Sequence, residues 1–521
     1  MRLLPVIALY FLCIYMSWMP LFHSISWISW DLGAHISRTL STVGELRQGQ
    51  FPPYFDFNYH HYPGYSWNIF YPPLANFIMS FFQYIQDNLN NTLKLTSLVI
   101  LMFSTLISFF SFNSLGIIRD KSLSLSLMFS CSIYMVDNIF IRGAIPESLA
   151  ICFAPLFICS LLKRTEPKSF LVMGVASAGI LLSNIPSFIA CAIVALVFAA
   201  FRKESIPFFI KGFTVCFLLS AFYILPLFYS LHGQSFNLIS FNFFPTMSEK
   251  SLSLYDLVSG EKIKTGSLRD MSLGVGWPIF LLLLLALYNN FKKLNFLILL
   301  VLTFIVISGA NYSFLPKFLQ ELSLLQFAWR LVPYLLLLVL VQIAESSKVT
   351  NKHLLTCLFL TSLMTTWMSV EKTSSYNITK DNYGSTIFSD YALTSAKKIV
   401  LPEGKIICLD SQNSETQIDF TEKRNTHGMP VFEFNSKIDG KCIIPVMAYN
   451  SVTLDGKRNI IDGYLYYNAS KGDNRVEVKR SAAFELLYGL GAFLSFISFV
   501  FIMCKIFIIK RNAVFYKPFK S

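Results

Sequence analysis

Asp31, His35 and Arg38 follow one another closely in the stretch WDLGAHISRTLSTVGELRQGQFPPYFDFNYHHYPGYSWNIFYPPL, which runs from Trp30 to Leu74 and also carries His60 and His61. On a helix, Asp31 and His35 share a face at i and i+4, and Arg38 stands about one turn further along. An acid beside an imidazole can relay a proton or ligate a metal. A guanidinium next to them can hold a phosphate through two parallel hydrogen bonds. The same spacing also suits an interfacial helix whose charges are merely solvated.

Two more segments concentrate charge. Ile141-Arg142-Gly143-Ala144-Ile145-Pro146-Glu147 places Arg142 and Glu147 at a tight Gly/Pro turn. The plainer reading there is a snorkelling Arg followed by a Glu near a helix N-terminus, where the dipole favours an acid. Gln326-Phe327-Ala328-Trp329-Arg330 sets Arg330 just inside a helix start. A cation in that position opposes both the dipole and the lipid, so it points to a polar cavity or an anion, against a common belt of Trp and Arg at the headgroups. Phe70-Tyr71-Pro72-Pro73 is a rigid aromatic turn that can shape a pocket or simply set a loop angle.

The elements that must position these residues are apolar. The chain is 54% hydrophobic and only 14% charged, and uncharged runs of span length recur from Leu3 to Ile509. Such runs predict transmembrane helices. The first, Leu3–Phe22, is followed by Trp27 and Trp30 rather than a small-x-small cleavage site, which predicts a retained signal-anchor.

A net charge of +13 raises the question of nucleic acid. The basic residues instead gather in short turns, at Arg119–Lys121, Lys163–Lys168, Arg202–Lys203, Lys292–Lys293, Lys348–Lys352 and Lys505–Lys520. They recur at alternate hydrophobic junctions, which is the positive-inside pattern and not a nucleic-acid face.

Alternating those turns predicts an α-helical polytopic membrane protein of roughly twelve spans with both termini cytoplasmic. The expected spans are 3–22, 95–118, 123–140, 148–162, 170–183, 187–201, 207–230, 273–288, 296–307, 327–343, 354–368 and 483–509. Leu74–Ile85 is too short to cross and is placed in the outer interface. The expected organisation is a transmembrane domain over 1–370 including an external first loop, 23–94. An extracytoplasmic domain over 371–482 and a last helix with a basic tail over 483–521 complete it.

Segments KIICLD, CIIPVMAYNSVTLDG, GYLYYNAS and NRVEVKRS make the 371–482 domain β-rich. Most cysteines sit in apolar runs as packing. Cys408 and Cys442 lie in the polar domain, where a disulfide is plausible outside the cell.

The segments DLGAHISR, ELRQGQFPP, FYPPL, RGAIPESLA, LLSNIPSF and LQFAWRL, in this order, resemble the bacterial membrane family described as "6-pyruvoyl-tetrahydropterin synthase-related". That description implies no pterin chemistry here. The tail's CIIPVMAYNSVTLDGK looks like the external domain that ends related multi-span proteins.

The family in turn is similar to the GT-C superfamily of integral-membrane glycosyltransferases. The resemblance implies a GT-C-like fold and a polyprenyl-phosphate-linked sugar donor. It also implies transfer at the outer face to an extracytoplasmic glycan or glycolipid acceptor. Asp31 matches the first-loop acid, whose family role is catalytic base or ligand to a divalent metal such as Mg or Mn. Glu147 matches an acid in a second external loop and is the other catalytic candidate.

His35, Arg38, Tyr71, Arg142, Gln326 and Arg330 are the candidate substrate-binding residues, with the arginines facing the lipid phosphate by chemistry. Trp67, Phe70 and Tyr71 are candidates to stack on sugar faces. The chain departs from the pattern at Asn184, where a His is usual, and at Ala328, where a Pro is usual. No nucleotide motif is present, as fits a donor already activated on lipid. A transporter or flippase of lipid-linked glycans is the alternative. It predicts mid-membrane charges and an internal repeat, of which the sequence offers little.

Overall fold

A computed structural model describes residues 3–23, 26–27, 29–58, 63–240, 252–260, 262–263, 271–288, 293–308, 327–370, 373, 375–379, 389–398 and 404–515. His60, His61 and Gln326 lie outside the described residues. The protein is mostly helical, with a β domain towards its C-terminus.

Among the described residues, six helices are long and apolar enough to cross a membrane. They are Leu4–Phe22, Leu89–Ser114, Arg119–Phe140, Ile145–Leu162, Ala328–Glu345 and Ala482–Lys505. A seventh arises if Lys203–Leu219 and Ala221–Leu231 form one broken span. Other apolar runs fold as shorter helices, Ser169–Ser183, Ile185–Phe201, Trp277–Leu287 and Leu297–Val306. Asn351–Met368 is helical as well. Among the described residues, then, six or seven of the roughly twelve expected spans meet the length and composition needed to cross a bilayer.

The chain divides into two compact units, Met1–Ile36, Leu74–Cys216 and Phe244–Gly384 in the first, and Ser37–Pro73, Phe217–Phe243 and Ser385–Ser521 in the second. This differs from a boundary at residue 370, since most of the first loop and the segment 217–243 go with the tail.

The first unit is a helical bundle held by small-residue contacts and buried hydroxyls. Gly179 in helix Ser169–Ser183 lies against Phe153 of Ile145–Leu162, and a Cβ there would approach the ring to 2.6 Å. Ser104 and Ser130 hydroxyls bond at 2.8 Å, and the Trp18 indole donates to the Ser130 carbonyl at 3.1 Å. Such bonds satisfy polar atoms that have no water to turn to.

The bundle has chemically distinct ends. Lys121 Nζ donates to the Val349 carbonyl at 2.8 Å and Lys163 Nζ to the Ser114 carbonyl at 3.0 Å, which draws the basic turns together. Arg142, Glu147 and Arg330 belong to the opposite termini of the same helices.

The second unit is built on an eight-stranded antiparallel sheet. Its strands are β1 (Lys405–Leu409), β2 (Glu415–Arg424), β3 (Pro430–Ser436), β4 (Gly440–Met447), β5 (Val452–Leu454), β6 (Ile460–Ile461), β7 (Tyr464–Ala469) and β8 (Gly472–Arg480). Their spatial order is β6-β7-β4-β1-β2-β3-β8-β5. The predicted β-rich segments correspond to β1, β4, β5, β7 and β8. The sequence does not mark β2, where charges on the open face of ETQIDFTEKR mask the alternation, nor β3.

The loop aromatics Phe55, Tyr65, Trp67 and Phe70 share one core with Ile406, Phe432, Val446, Tyr449 and Val476. Burial of that aromatic surface explains why the first loop goes with the tail. The loop is also tied by charge: buried Glu45 accepts from Phe57 N at 2.9 Å and pairs with Arg424 of β2 at 3.0 Å.

Cys408 of β1 and Cys442 of β4 face one another across the ladder and form a disulfide. Cys408→Ser, Cys442→Ser or reduction is expected to lower the stability of this unit by about 2–4 kcal/mol. An earlier thermal transition and faster trypsin cleavage between residues 404 and 480 would register it. Unchanged melting after complete reduction would show that the bond contributes nothing.

Candidate functional site

In the first unit the turn after helix Ile133–Phe140 carries Arg142 and is closed by Gly143. Gly143 has φ +75°, and a Cβ on it would meet the Ser29 hydroxyl at 2.2 Å. Only glycine allows both the backbone conformation and the close approach. The approach matters because it brings residue 31 alongside: Asp31 N donates to the Arg142 carbonyl at 2.8 Å. Helix Leu32–Arg47 starts directly after, and His35 N donates back to the Asp31 carbonyl at 3.4 Å.

The charged groups then converge. Glu147, in the first turn of helix Ile145–Leu162, receives Arg142 Nη1 at 2.8 Å and Arg330 Nε at 2.7 Å on a single oxygen, Oε2. Its other oxygen accepts from the Tyr134 hydroxyl at 2.8 Å. Arg142 Nη1 also donates to Asn138 Oδ1 at 3.0 Å, and Asn138 donates to the Ser148 hydroxyl at 2.9 Å. Arg142 Nε stands 3.5 Å from Asp31 Oδ2. Both guanidiniums lie over the Phe327 ring, Arg142 at 5.4 Å and Arg330 at 5.0 Å from its centre, a cation–π arrangement. Phe327 in turn stacks on Trp329 at 4.3 Å.

The two carboxylates of this cluster differ in kind. The Glu147 side chain is 2% exposed and both of its oxygens are engaged, so it acts as the anchor that fixes two guanidiniums. The Asp31 side chain is 45% exposed with a single guanidinium beside it. Asp31 is the carboxylate open to an incoming group.

On the segments that build this cluster, three buried hydrogen-bonding atoms, the Ser29 hydroxyl and the indole N–H groups of Trp30 and Trp329, have no partner among the described residues. Buried donors without acceptors are costly, and each is normally satisfied by something.

The site residues expected from sequence thus fall in two places. Asp31, Arg142, Glu147 and Arg330 meet in the first unit, with His35 one turn beyond Asp31. Arg38 and Tyr71 belong to the second unit. There Arg38 Nε donates to Asn68 Oδ1 at 3.0 Å, and its Nη2 donates to the carbonyls of Tyr71 at 3.1 Å and Pro72 at 3.0 Å. Tyr71 donates its hydroxyl to Asp390 at 3.3 Å.

Trp67 and Phe70 are buried in the aromatic core. Asn184 and Ala328, the two departures from the family pattern, have structural posts. Asn184 caps helix Ile185–Phe201, accepting from Ser187 N at 2.9 Å, and Ala328 opens the 3-10 turn that delivers Arg330.

Tyr134, Asn138 and Phe327 belong to the cluster without having been picked out from sequence. Tyr134, Asn138 and Arg142 recur every fourth residue, the spacing of one helical face, and that periodicity was the available signal. Among the described residues no three His, Cys, Asp or Glu side chains converge as a metal cage.

The chain is 28% identical over 234 residues to an uncharacterized protein of Lactococcus lactis subsp. cremoris (strain MG1363), a match covering 41% of this chain and 38% of that protein. No family model matches the sequence. No solved structure matches it either.

Proposed function

We propose that this protein is an integral-membrane glycosyltransferase of GT-C type. It moves a sugar from a polyprenyl-phosphate-linked donor to a glycan or glycolipid acceptor outside the cytoplasm. The observation that carries the proposal is the convergence of Asp31, Arg142, Glu147 and Arg330 from segments far apart in sequence.

The acceptor hydroxyl attacks the anomeric carbon. A new C–O bond forms there as the bond from that carbon to the phosphate oxygen breaks. Asp31 takes the hydroxyl proton, and the lipid phosphate leaves with the bonding pair. Arg142 and Arg330, held rigid by Glu147 and Phe327, stabilise the charge that develops on that phosphate. Among the described residues Nη2 of Arg142 has no partner, which leaves a donor for it. A donor set of one open carboxylate beside guanidiniums builds no divalent-metal cage, and no step here is routed through a metal.

Roughly twelve spans, with both termini cytoplasmic and the site at the outer face, complete the proposal. The grouping of basic turns at the end of the bundle remote from Arg142 and Arg330 supports that orientation. So does the disulfide, since such bonds persist in oxidising compartments.

The test is a transfer assay with full-length protein in lipid nanodiscs. Polyprenyl-phosphate sugars, radiolabelled in the sugar, are presented with envelope glycolipids as acceptors. Label should appear in the acceptor fraction and free lipid phosphate in equal amount. Absence of both across a panel of donors would refute the proposal.

A further inference from the structure

Arg38 is the most unusual charge in the second unit. It is 2% exposed, and it makes no ion pair among the described residues. Its acceptors are all neutral: the Asn68 side chain and the carbonyls of Tyr71 and Pro72. Among the described residues Nη1 has no partner at all.

The groups that face it are phenols. Its guanidinium carbon lies 5.3 Å from the centre of the Tyr71 ring. The Asp390 carboxylate is engaged by the Tyr71 hydroxyl rather than by Arg38. Burial pushes the Arg38 guanidinium down to about 10, and the hydroxyls of Tyr223, Tyr71 and Tyr391 are the groups that oppose the shift.

A buried, uncompensated cation is among the most costly features a fold can keep. A guanidinium offers a planar fork matched to oxygen anions. Around this one the neutral acceptors occupy Nε and Nη2 and leave Nη1 for a further group. Tyr71 and Tyr391 are partly exposed and meet edge to face at 5.1 Å, with Tyr391 stacked on Phe70 at 4.8 Å. Aromatic rings beside a cation that has no counter-charge among the described residues suit the apolar face of a sugar that carries an acid.

We propose that Arg38, with Asn68, Tyr71 and Tyr391, forms a second binding site in this protein, one that takes an oxyanion, a phosphate or a carboxylate, borne on the acceptor glycan. That the carrier is the acceptor rests on the transferase assignment. The oxyanion site itself stands on Arg38 alone. The acceptor of this enzyme is accordingly acidic, a uronate-containing or phosphodiester-linked polymer, and a neutral polymer is a poor one.

Thermal unfolding of the full-length protein in detergent tests the site without any transfer. Glucuronate, glycerol phosphate and inorganic phosphate at ~10 mM are compared with chloride at equal ionic strength. At least one oxyanion should raise the melting temperature of the wild type. A response to glucuronate alone assigns a carboxylate, and a response to the phosphates alone assigns a phosphodiester.

Arg38→Met should weaken the response at least about tenfold in oxyanion concentration, whereas Arg330→Gln should keep it. If Arg38→Met does not fold, Arg38→Lys replaces it, keeping the charge without the fork and weakening the response.

No shift in the wild type with any oxyanion overturns the site. So does a shift that survives in the Arg38 variant and vanishes in Arg330→Gln. A persistent Arg38-dependent shift in a protein that transfers no sugar would retain the oxyanion site and reject the transferase assignment.

Discussion

Asp31→Asn is expected to reduce sugar transfer by about 10²–10⁴-fold, the range a single general base contributes, with little change in stability. The reason lies in the contrast between the two carboxylates of the cluster. Glu147 has both oxygens engaged, so protonating it would break two buried ion pairs. Asp31 is 45% exposed and touches a single guanidinium at 3.5 Å. Arg142 keeps its closer partner Glu147 at 2.8 Å when Asp31 is neutralised, so the bundle stays intact.

The carboxamide keeps the size and the acceptor oxygen of Asp31 but takes no proton. The loss should therefore fall on kcat, with the KM for the lipid donor nearly unchanged. Asp31→Glu should recover part of the rate, because the base returns at a displaced position. Asp31→Asn with full activity in the transfer assay would remove Asp31 from the chemistry.

The apolar helices were legible because their signal is additive. Each residue of Leu89–Ser114 or Ile145–Leu162 adds to one long run that is apolar but for a single charge near its start, Lys94 in the first and Glu147 in the second. The strands with a clear alternation, such as KIICL, were legible for a similar reason. What the sequence hid was partnership.

Arg38 lies one turn from His35 on helix Leu32–Arg47, and spacing alone groups it with Asp31. The structure instead commits it to Asn68 and the Tyr71–Pro72 carbonyls. Nothing local fixes that choice, since it depends on burial of Trp67 and Phe70 in the core of the β domain. Arg330 illustrates the reverse case. Its position at a helix start is electrostatically awkward, and that awkwardness was readable as a demand for an anion. The anion proved to be Glu147, 183 residues away in the chain.

Glu147→Gln is expected to be the most damaging single change to the first unit, costing about 3–5 kcal/mol. Two guanidiniums now share one carboxylate oxygen, at 2.8 and 2.7 Å. The variant leaves both cations buried, 4% and 5% exposed, and among the described residues the more distant Asp31 is the remaining carboxylate beside Arg142. Their mutual repulsion, formerly offset, then acts directly across a poorly solvated space.

The charge explanation has a specific signature. In the Glu147→Gln background, Arg330→Met should restore part of the lost stability, because it removes one of the two guanidiniums that shared the Glu147 carboxylate. In the wild-type background the same Arg330→Met should destabilise. Such a change of sign is a coupling that packing loss alone does not produce. Tyr134→Phe serves as the neutral control. It removes one hydrogen bond to Glu147 Oε1 and should cost only about 1–3 kcal/mol.

Thermal unfolding of the wild type, the two single charge variants and the double variant in one detergent measures the coupling. Additive losses across Glu147→Gln and Arg330→Met would mean that the two residues stabilise the bundle independently. Glu147 would then lose its role as the group that holds the guanidiniums in place for the phosphate.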